Sequence, residues 1–258
     1  MKFRFIGTAA CDYSPLLNTI YKDSLDKDAR RSSAALVDGH ILIDCGTHVL
    51  ESLRIQNIAY EEIDIVLLTH LHNDHYEPED LKLLASAAQR TIAVYVSETA
   101  VPQVEVELAG SNVKVYGVKY GQEIEICEDT IIKGLPANHT AHPVHYLIKS
   151  SGKKIYYATD GAWIMYDAFY ALRDADLDLL VLDATVGDYE GDYRVAEHNS
   201  IPMVRAMLRS FTKFNICDNG RIFITHIAPS LHKTHTETEE ILKNDKIEVA
   251  YDGLEIEI

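Results

Sequence analysis

Thr69-His70-Leu71-His72-Asn73-Asp74-His75 follows directly on the apolar run Ile65-Val66-Leu67-Leu68, and it crowds three imidazoles and a carboxylate into six positions. Those two ligand types suit zinc, manganese or iron. In an extended turn His70 and His72 point to one side while Asp74 and His75 swing to the other, so one loop can serve two ions. Four ligands are too few for two ions, and the rest must come from elsewhere in the chain. The bland alternative is a solvated polar turn.

Reading outward, other apolar runs end in the same way. Ile155-Tyr156-Tyr157-Ala158 runs into Thr159-Asp160, Leu179-Leu180-Val181-Leu182 into Asp183, and Ile222-Phe223-Ile224 into Thr225-His226. Strands whose C-terminal ends meet at one sheet edge would hold ligands in positions fixed by core packing. His139, Asp160 and His226 are the candidates that complete the set, giving a three-histidine site and an Asp/His site with a bridging Asp. Each would keep open positions for water, as catalytic metal sites require.

Strand-like runs are read at 2–6, 33–37, 41–44, 64–68, 92–96, 112–118, 122–126, 130–135, 144–149, 154–158, 178–182, 221–225 and 247–257. Helical periodicity is read at 47–56, 78–89, 97–107, 162–173, 199–210 and 235–243. Strands interleaved with helices predict an α/β (α+β) fold of two sheets with helices outside them. Neither a repeat nor a linker marks a boundary, so residues 1–258 are read as one domain.

Composition narrows the function. The 24 basic and 40 acidic residues leave a net charge of −16, which disfavours a long nucleic acid as partner, and the adjacent pair Arg30-Arg31 is too small to reverse this. No apolar run is long enough to span a bilayer. Met1-Lys2-Phe3-Arg4-Phe5-Ile6-Gly7 alternates like a strand, unlike a secretory signal, and a cytoplasmic protein is expected. Cys11, Cys45, Cys127 and Cys217 are too scattered for a disulfide framework or a cysteine-rich zinc module.

The H-x-H-x-D-H loop, the distant His, the Asp and the final His together resemble the metallo-β-lactamase fold superfamily. The resemblance runs from Gly7-Thr8-Ala9-Ala10 and Leu42-Ile43-Asp44-Cys45-Gly46 to Thr225-His226, nearly the whole chain. It implies a four-layer αββα sandwich. It also implies that His70, His72 and His139 hold one metal, Asp74, His75 and His226 the other, and that Asp160 bridges them. His139, His142 and His145 compete for the third position. Related phosphodiesterases place a Tyr seven residues after this His, an interval that His139 and Tyr146 keep. His145 either lines the pocket or is a strand histidine on one sheet face, and His142 precedes Pro143, which predicts an extended backbone.

Asp183-Ala184-Thr185 with Glu197-His198-Asn199-Ser200 looks like the acidic-residue and His pairing of tRNase Z, with Asp in place of Glu. Together with the Tyr interval it points to the branch of tRNase Z and the phosphonate-pathway cyclic phosphodiesterase. In those relatives the His protonates the leaving oxygen and the acid orients it. The alternative for His198 and Asp183 is a pair of capping contacts at a helix start. The extra cysteines of the phosphonate-pathway enzyme and the basic arm of tRNase Z are missing from this sequence. A C-terminal domain like that of glyoxalase II has no room here, and the flavodoxin domain of the flavo-diiron branch is absent.

The expected activity is that of a binuclear metal hydrolase, in which a hydroxide between two divalent ions attacks phosphorus or a carbonyl. Asp74 would orient the hydroxide, and His198, supported by Asp183, would protonate the leaving group. Zinc is the first choice, with manganese or iron as alternatives. Two divalent ions bring the charge to about −12 and leave the cleft locally positive, which favours a small anionic substrate such as a cyclic nucleotide. A lactone or amide hydrolase and a non-catalytic metal-binding sensor are the alternatives. The expected partners are that small substrate and a second copy of the chain in a homodimer; no membrane partner is expected. Asp44 is placed to accept a hydrogen bond from a ligand His. His48 is read as a surface or supporting residue. His232 and His235 either contact substrate or sit in solvated loops.

Overall fold

A computed structural model of the chain describes residues 1–11, 26–88 and 90–258. These form two compact units, Met1–Lys119 with Tyr251–Glu257 and Tyr120–Ala250 with Ile258.

The strands of the first unit are β1 (Lys2–Gly7), β2 (Ala34–Val37), β3 (Ile41–Ile43), β4 (Ile65–Leu67), β5 (Ile92–Ser97), β6 (Val113–Val118) and β14 (Glu255–Glu257). Among the described residues they make a seven-stranded mixed sheet in the order β14-β1-β2-β3-β4-β5-β6. Strands β3 to β6 run parallel, while β14, β1, β2 and β3 pair antiparallel. Helices α1 (Val49–Ile55), α2 (Pro78–Ala87) and α3 (Val101–Glu107) bury Val49, Leu53, Leu81, Leu84 and Val104 in one cluster with Ile6, Leu36, Leu42, Val66 and Val94. On the other face Ile43 and Leu67 are buried as well, which is why β3 and β4 read as continuous apolar runs, whereas β1 buries Phe3 and Phe5 and alternates them with Lys2 and Arg4.

The second unit holds β7 (Glu123–Cys127), β8 (Thr130–Pro136), β9 (Val144–Ser150), β10 (Lys153–Ala158), β11 (Leu179–Asp183), β12 (Arg221–Thr225) and β13 (Glu248–Val249). Its sheet, again seven-stranded among the described residues, has the order β13-β12-β11-β10-β9-β8-β7, with β10 to β13 parallel and the rest antiparallel. Ser151 and Gly152, at φ 49° and 76°, make the two-residue reversal between β9 and β10. Helices α4 (Tyr166–Leu172), α5 (Ile201–Phe211) and α6 (His235–Leu242) complete this unit. α5 buries Ile201, Val204, Met207 and Phe211 on one face, and its start is capped by the Ser200 hydroxyl, which accepts from the Met203 N–H.

The fold class is thus α/β, with two mixed sheets and associated helices. Four expectations change. The run 247–257 is two strands, one in each sheet, parted by a turn at Asp252-Gly253 with Gly253 at φ 87°. The helix read from 97 begins at Val101, because Ser97 still belongs to β5. The helix read from 162 begins at Tyr166, because Trp163 adopts φ 56°. The helix read over 78–89 is Pro78–Ala87, and position 89 lies outside the described residues.

In the turn that replaces the long strand, Asp252 is buried. It accepts from the Thr8 hydroxyl at 2.8 Å and from the Arg31 N–H at 2.8 Å, while Arg30 donates to the same hydroxyl at 2.7 Å. Burial pushes the Asp252 carboxyl up to about 6, although Thr8 and Arg30 pull the other way. No helix among the described residues is long and apolar enough to cross a membrane.

Candidate functional site

In the first unit, β3 and β4 are parallel neighbours, with Ile43 opposite Leu67, so Asp44 emerges beside Thr69. The Asp44 carboxylate is buried. It accepts from the Thr69 N–H at 2.7 Å and from its hydroxyl at 2.8 Å, and its Oδ2 lies 2.8 Å from His75 Nδ1. A carboxylate on Nδ1 fixes the ring and its tautomer and leaves Nε2 as the lone-pair nitrogen. This is the role expected of Asp44.

The loop that follows is fastened by a strand-like seam. Cys45 N–H donates to the His75 carbonyl, Thr47 N–H to that of Asn73, and Glu77 N–H to that of Cys45. Gly46 lies against the seam so closely that a Cβ there would sit 2.0 Å from the Asp74 carbonyl oxygen. Within the loop, His70 Nε2 is 3.0 Å from His72 Nδ1, and His75 Nε2 is 3.4 Å from Asp74 Oδ2. Two ligands on one tetrahedral zinc lie about 3.3 Å apart, given bonds of about 2.0–2.1 Å. Each pair therefore has the spacing that neighbouring ligands of one ion need.

In the second unit, β10, β11 and β12 are adjacent and parallel, and they deliver Asp160, Asp183 and His226 at their C-terminal ends. The fourth ligand-bearing strand of the sequence reading, β4, belongs to the other sheet, so the four do not share one sheet edge as expected. Asp160 and His226 leave their strands at φ 57° and 58°, which turns their side chains sharply at the strand ends. The buried Asp160 carboxylate faces two imidazoles, with Oδ2 3.7 Å from His139 Nε2 and Oδ1 2.8 Å from His226 Nδ1.

His198 Nδ1 lies 2.9 Å from Asp183 Oδ2 and 3.5 Å from Asp160 Oδ1. Asp160, Asp183, His198 and His226 bring ligand-type atoms within 4.8 Å of one another. Burial opposes protonation of His198, but the Asp183 carboxylate and, to a lesser extent, Asp160 outweigh it, so the imidazole titrates above the ordinary histidine value. The Asp183 contact is an ion pair and hydrogen bond to the ring, so Asp183 does more than cap a helix.

His145 is buried in β9, with Nε2 3.0 Å from the Asp160 carbonyl oxygen and Nδ1 3.0 Å from the Tyr156 hydroxyl. Burial pushes its pKa down to about 4 despite the Asp160 contact, so the ring is neutral, donating through Nε2 and accepting from Tyr156. It braces the Asp160 backbone. Gly161 leaves room for it, since a Cβ there would meet the His145 ring at 3.0 Å. Ala141 and His142 take φ 58° and 61°, so the extended backbone expected before Pro143 is replaced by a tight reversal into β9. His232 bonds the Ala184 carbonyl at 2.6 Å, and the buried His235 lies 3.1 Å from Glu239. His48 is half-buried at the start of α1.

Two residues gained no role from the sequence alone. The Thr185 hydroxyl lies 2.9 Å from Asp183 Oδ2, 2.7 Å from His226 Nδ1 and 3.1 Å from His198 Nδ1. Asn199 gives its N–H to Asp183 Oδ1 and its amide to the Gly161 carbonyl. The only signal for either was its place in the motif beside Asp183 or His198.

Comparison with known proteins places the chain in a family. Residues 40–227 match the family described as the beta-lactamase superfamily domain. Over 35 residues the chain is 49% identical to ribonuclease Z of Clostridium beijerinckii, a match that spans 14% of this chain and only 11% of that relative. The crystal structure of a diphosphatase from the PhnP family aligns at TM-score 0.76 and 20% identity, covering 100% of this chain and 97% of that one. The metallo-β-lactamase fold protein YhfI from Bacillus subtilis aligns at TM-score 0.77 and 18% identity, covering 99% and 98%. Fold and family model thus define the class, a beta-lactamase superfamily domain that carries His/Asp clusters able to hold metal ions. The chain belongs to the beta-lactamase superfamily domain family.

Proposed function

We propose that this protein is a binuclear phosphodiesterase acting on a small anionic phosphodiester. In this reading residues 1–258 are one catalytic domain, in which His70, His72 and His139 would hold one ion and Asp74, His75 and His226 the other, with Asp160 a ligand common to both. Zinc is the first choice, and the same donors accept manganese or iron. Bound there, two divalent ions would supply positive charge against the phosphoryl oxygens and lower the pKa of water toward neutrality.

The protein's own residues divide the remaining work. Asp74 would orient the attacking water. Asp44 holds the His75 ring, and His145 holds the Asp160 backbone. His198 keeps Nδ1 on Asp183, which leaves Nε2 to carry a proton to the departing oxygen. The observation that carries the reading is His198, whose Nδ1 lies 2.9 Å from Asp183 Oδ2 and 3.5 Å from Asp160 Oδ1, a candidate proton donor beside a candidate bridging ligand. The relatives add support, one a ribonuclease and one a diphosphatase, both of which act at phosphorus. The −16 charge favours a small substrate over RNA, and the buried thiols Cys45 and Cys217 suit a cytoplasmic setting.

The test compares leaving groups. His198→Ala is expected to retain its metals and to lose roughly 10²- to 10⁴-fold in turnover of a diester with an alkoxide leaving group. It should lose far less on bis(p-nitrophenyl) phosphate, whose leaving group needs no proton. An equal effect on both would remove the donor role. Turnover of lactones or β-lactams with no turnover of diesters would overturn the phosphodiesterase reading.

A further inference from the structure

The chain has one tryptophan, Trp163, and its backbone is in an unfavourable state. Its φ of 56° is a left-handed conformation that bulky L residues rarely take, and with 47% of its surface exposed the indole gains little burial to offset the strain. Glycine would adopt this φ freely. A frame of side-chain amides maintains the conformation instead. Asn199 Oδ1 accepts from the Trp163 N–H at 2.7 Å, and Asn199 Nδ2 donates to the Gly161 carbonyl at 2.8 Å. Asn138 Nδ2 reaches the Ala162 carbonyl at 3.0 Å and the Ala196 carbonyl at 3.4 Å.

This frame ties the Trp163 backbone to the segments that carry two functional groups. Asp160 is three residues before it, and His198 adjoins Asn199, whose own N–H is tied to Asp183 at 2.8 Å. Across the Asn138 fork, the short helical turn Tyr193–Ala196 presents Tyr193, 81% exposed, with the Arg194 guanidinium 5.1 Å from its ring centroid. An exposed aromatic whose backbone is tied to the residue after the candidate proton donor, three residues on from the candidate bridging carboxylate, is placed to meet part of a substrate.

We propose that Trp163 is a stacking platform for a planar aromatic group of the substrate, and that the substrate is therefore a phosphodiester carrying a nucleobase. The proposal rests on the phosphodiesterase reading and deepens it. An indole face stacks on any base, because every base has a π-face.

Because Trp163 is the only tryptophan, its fluorescence reports this position directly. In zinc-loaded protein, adenosine 5′-monophosphate is expected to quench it saturably, whereas ribose 5-phosphate, with the same phosphate and no base, is not. Equal quenching by both, or none by either, overturns the proposal. Emission that changes on diluting the protein without nucleotide, with a matching change in sedimentation, also overturns it, in favour of a contact between copies of the chain. In a kinetic arm, Trp163→Gly, which suits this φ, is expected to fold at least as stably as the parent. It should lower the preference for adenosine 3′,5′-cyclic monophosphate over glycerophosphocholine roughly 5- to 100-fold in kcat/KM, chiefly through KM. Trp163→Phe is expected to restore most of it, and an unchanged preference in the glycine variant overturns the proposal. Quenching by the nucleotide in a protein that hydrolyses no phosphodiester would leave the platform standing and remove the phosphodiesterase reading instead.

Discussion

Asp44, Asp160 and His226 each end a strand at positive φ, 65°, 57° and 58°. Such residues cost about 1–2 kcal/mol apiece, and they persist because surrounding bonds over-determine them. For Asp160 that bond is the one from His145. His145→Phe keeps the ring's bulk but strips both nitrogens, leaving the Asp160 carbonyl and the Tyr156 hydroxyl without their partner. The variant is expected to lose about 2–4 kcal/mol in chemical denaturation and roughly 10- to 100-fold in zinc affinity measured against a chromophoric chelator. Parent-like values for both would show that the brace is dispensable. The residue types of the candidate centre were legible because they cluster in a rare pattern at 70–75 and at strand ends. The role of His145 was not, because its partner is a main-chain carbonyl fifteen residues away, and no side-chain motif encodes that.

Elements were legible wherever apolar runs were long and bounded, as in β8, β11 and β12. They were misread where one element abuts another. Ser97 looked like a helix start because the strand before it ends without a breaker, and 247–257 merged two strands because only Asp252-Gly253 separates them. The seam between residues 45–47 and 73–77 was also invisible, since it depends on a close approach and not on a pattern. It makes Gly46 indispensable. Gly46→Ala would drive a methyl into the Asp74-His75 peptide and displace the candidate ligand loop, at an expected cost of about 1–3 kcal/mol or more. The checking measurement is the zinc-to-protein ratio at saturation, which should fall below that of the parent. An unaltered ratio would mean that the loop tolerates the shift.

For the whole molecule, both sheets follow one plan, an antiparallel half and a parallel half, with the polar groups at the C-terminal ends of the parallel strands. No sequence repeat betrays this, because the plan is kept by strand order and not by residue identity. Metal binding should stabilise the fold by mass action. Zinc at a hundred times its dissociation constant is expected to add about 2.7 kcal/mol per site, seen as a rise in Tm that EDTA reverses. Acidity acts through Asp252. Its pKa near 6 lies above the unfolded value of about 3.9, so the folded state binds more protons between them. Stability from this group is therefore fully present below about pH 4 and falls as pH rises through 6, by an amount on the order of 2–3 kcal/mol. Asp252→Asn should flatten that dependence in denaturation midpoints compared at pH 5 and 7.5, and an identical slope would assign it to other groups.

The pairing of Lys2 to Arg4 with Glu255 to Glu257 has a last consequence. A polypeptide stopped after Ala250 would possess every strand of the second unit but would leave the first without β14 and without Asp252. During synthesis on the ribosome, the half of the protein made first must wait for the half made last before its sheet is closed. A nonsense lesion near the C-terminus would accordingly be felt at the opposite end of the sequence.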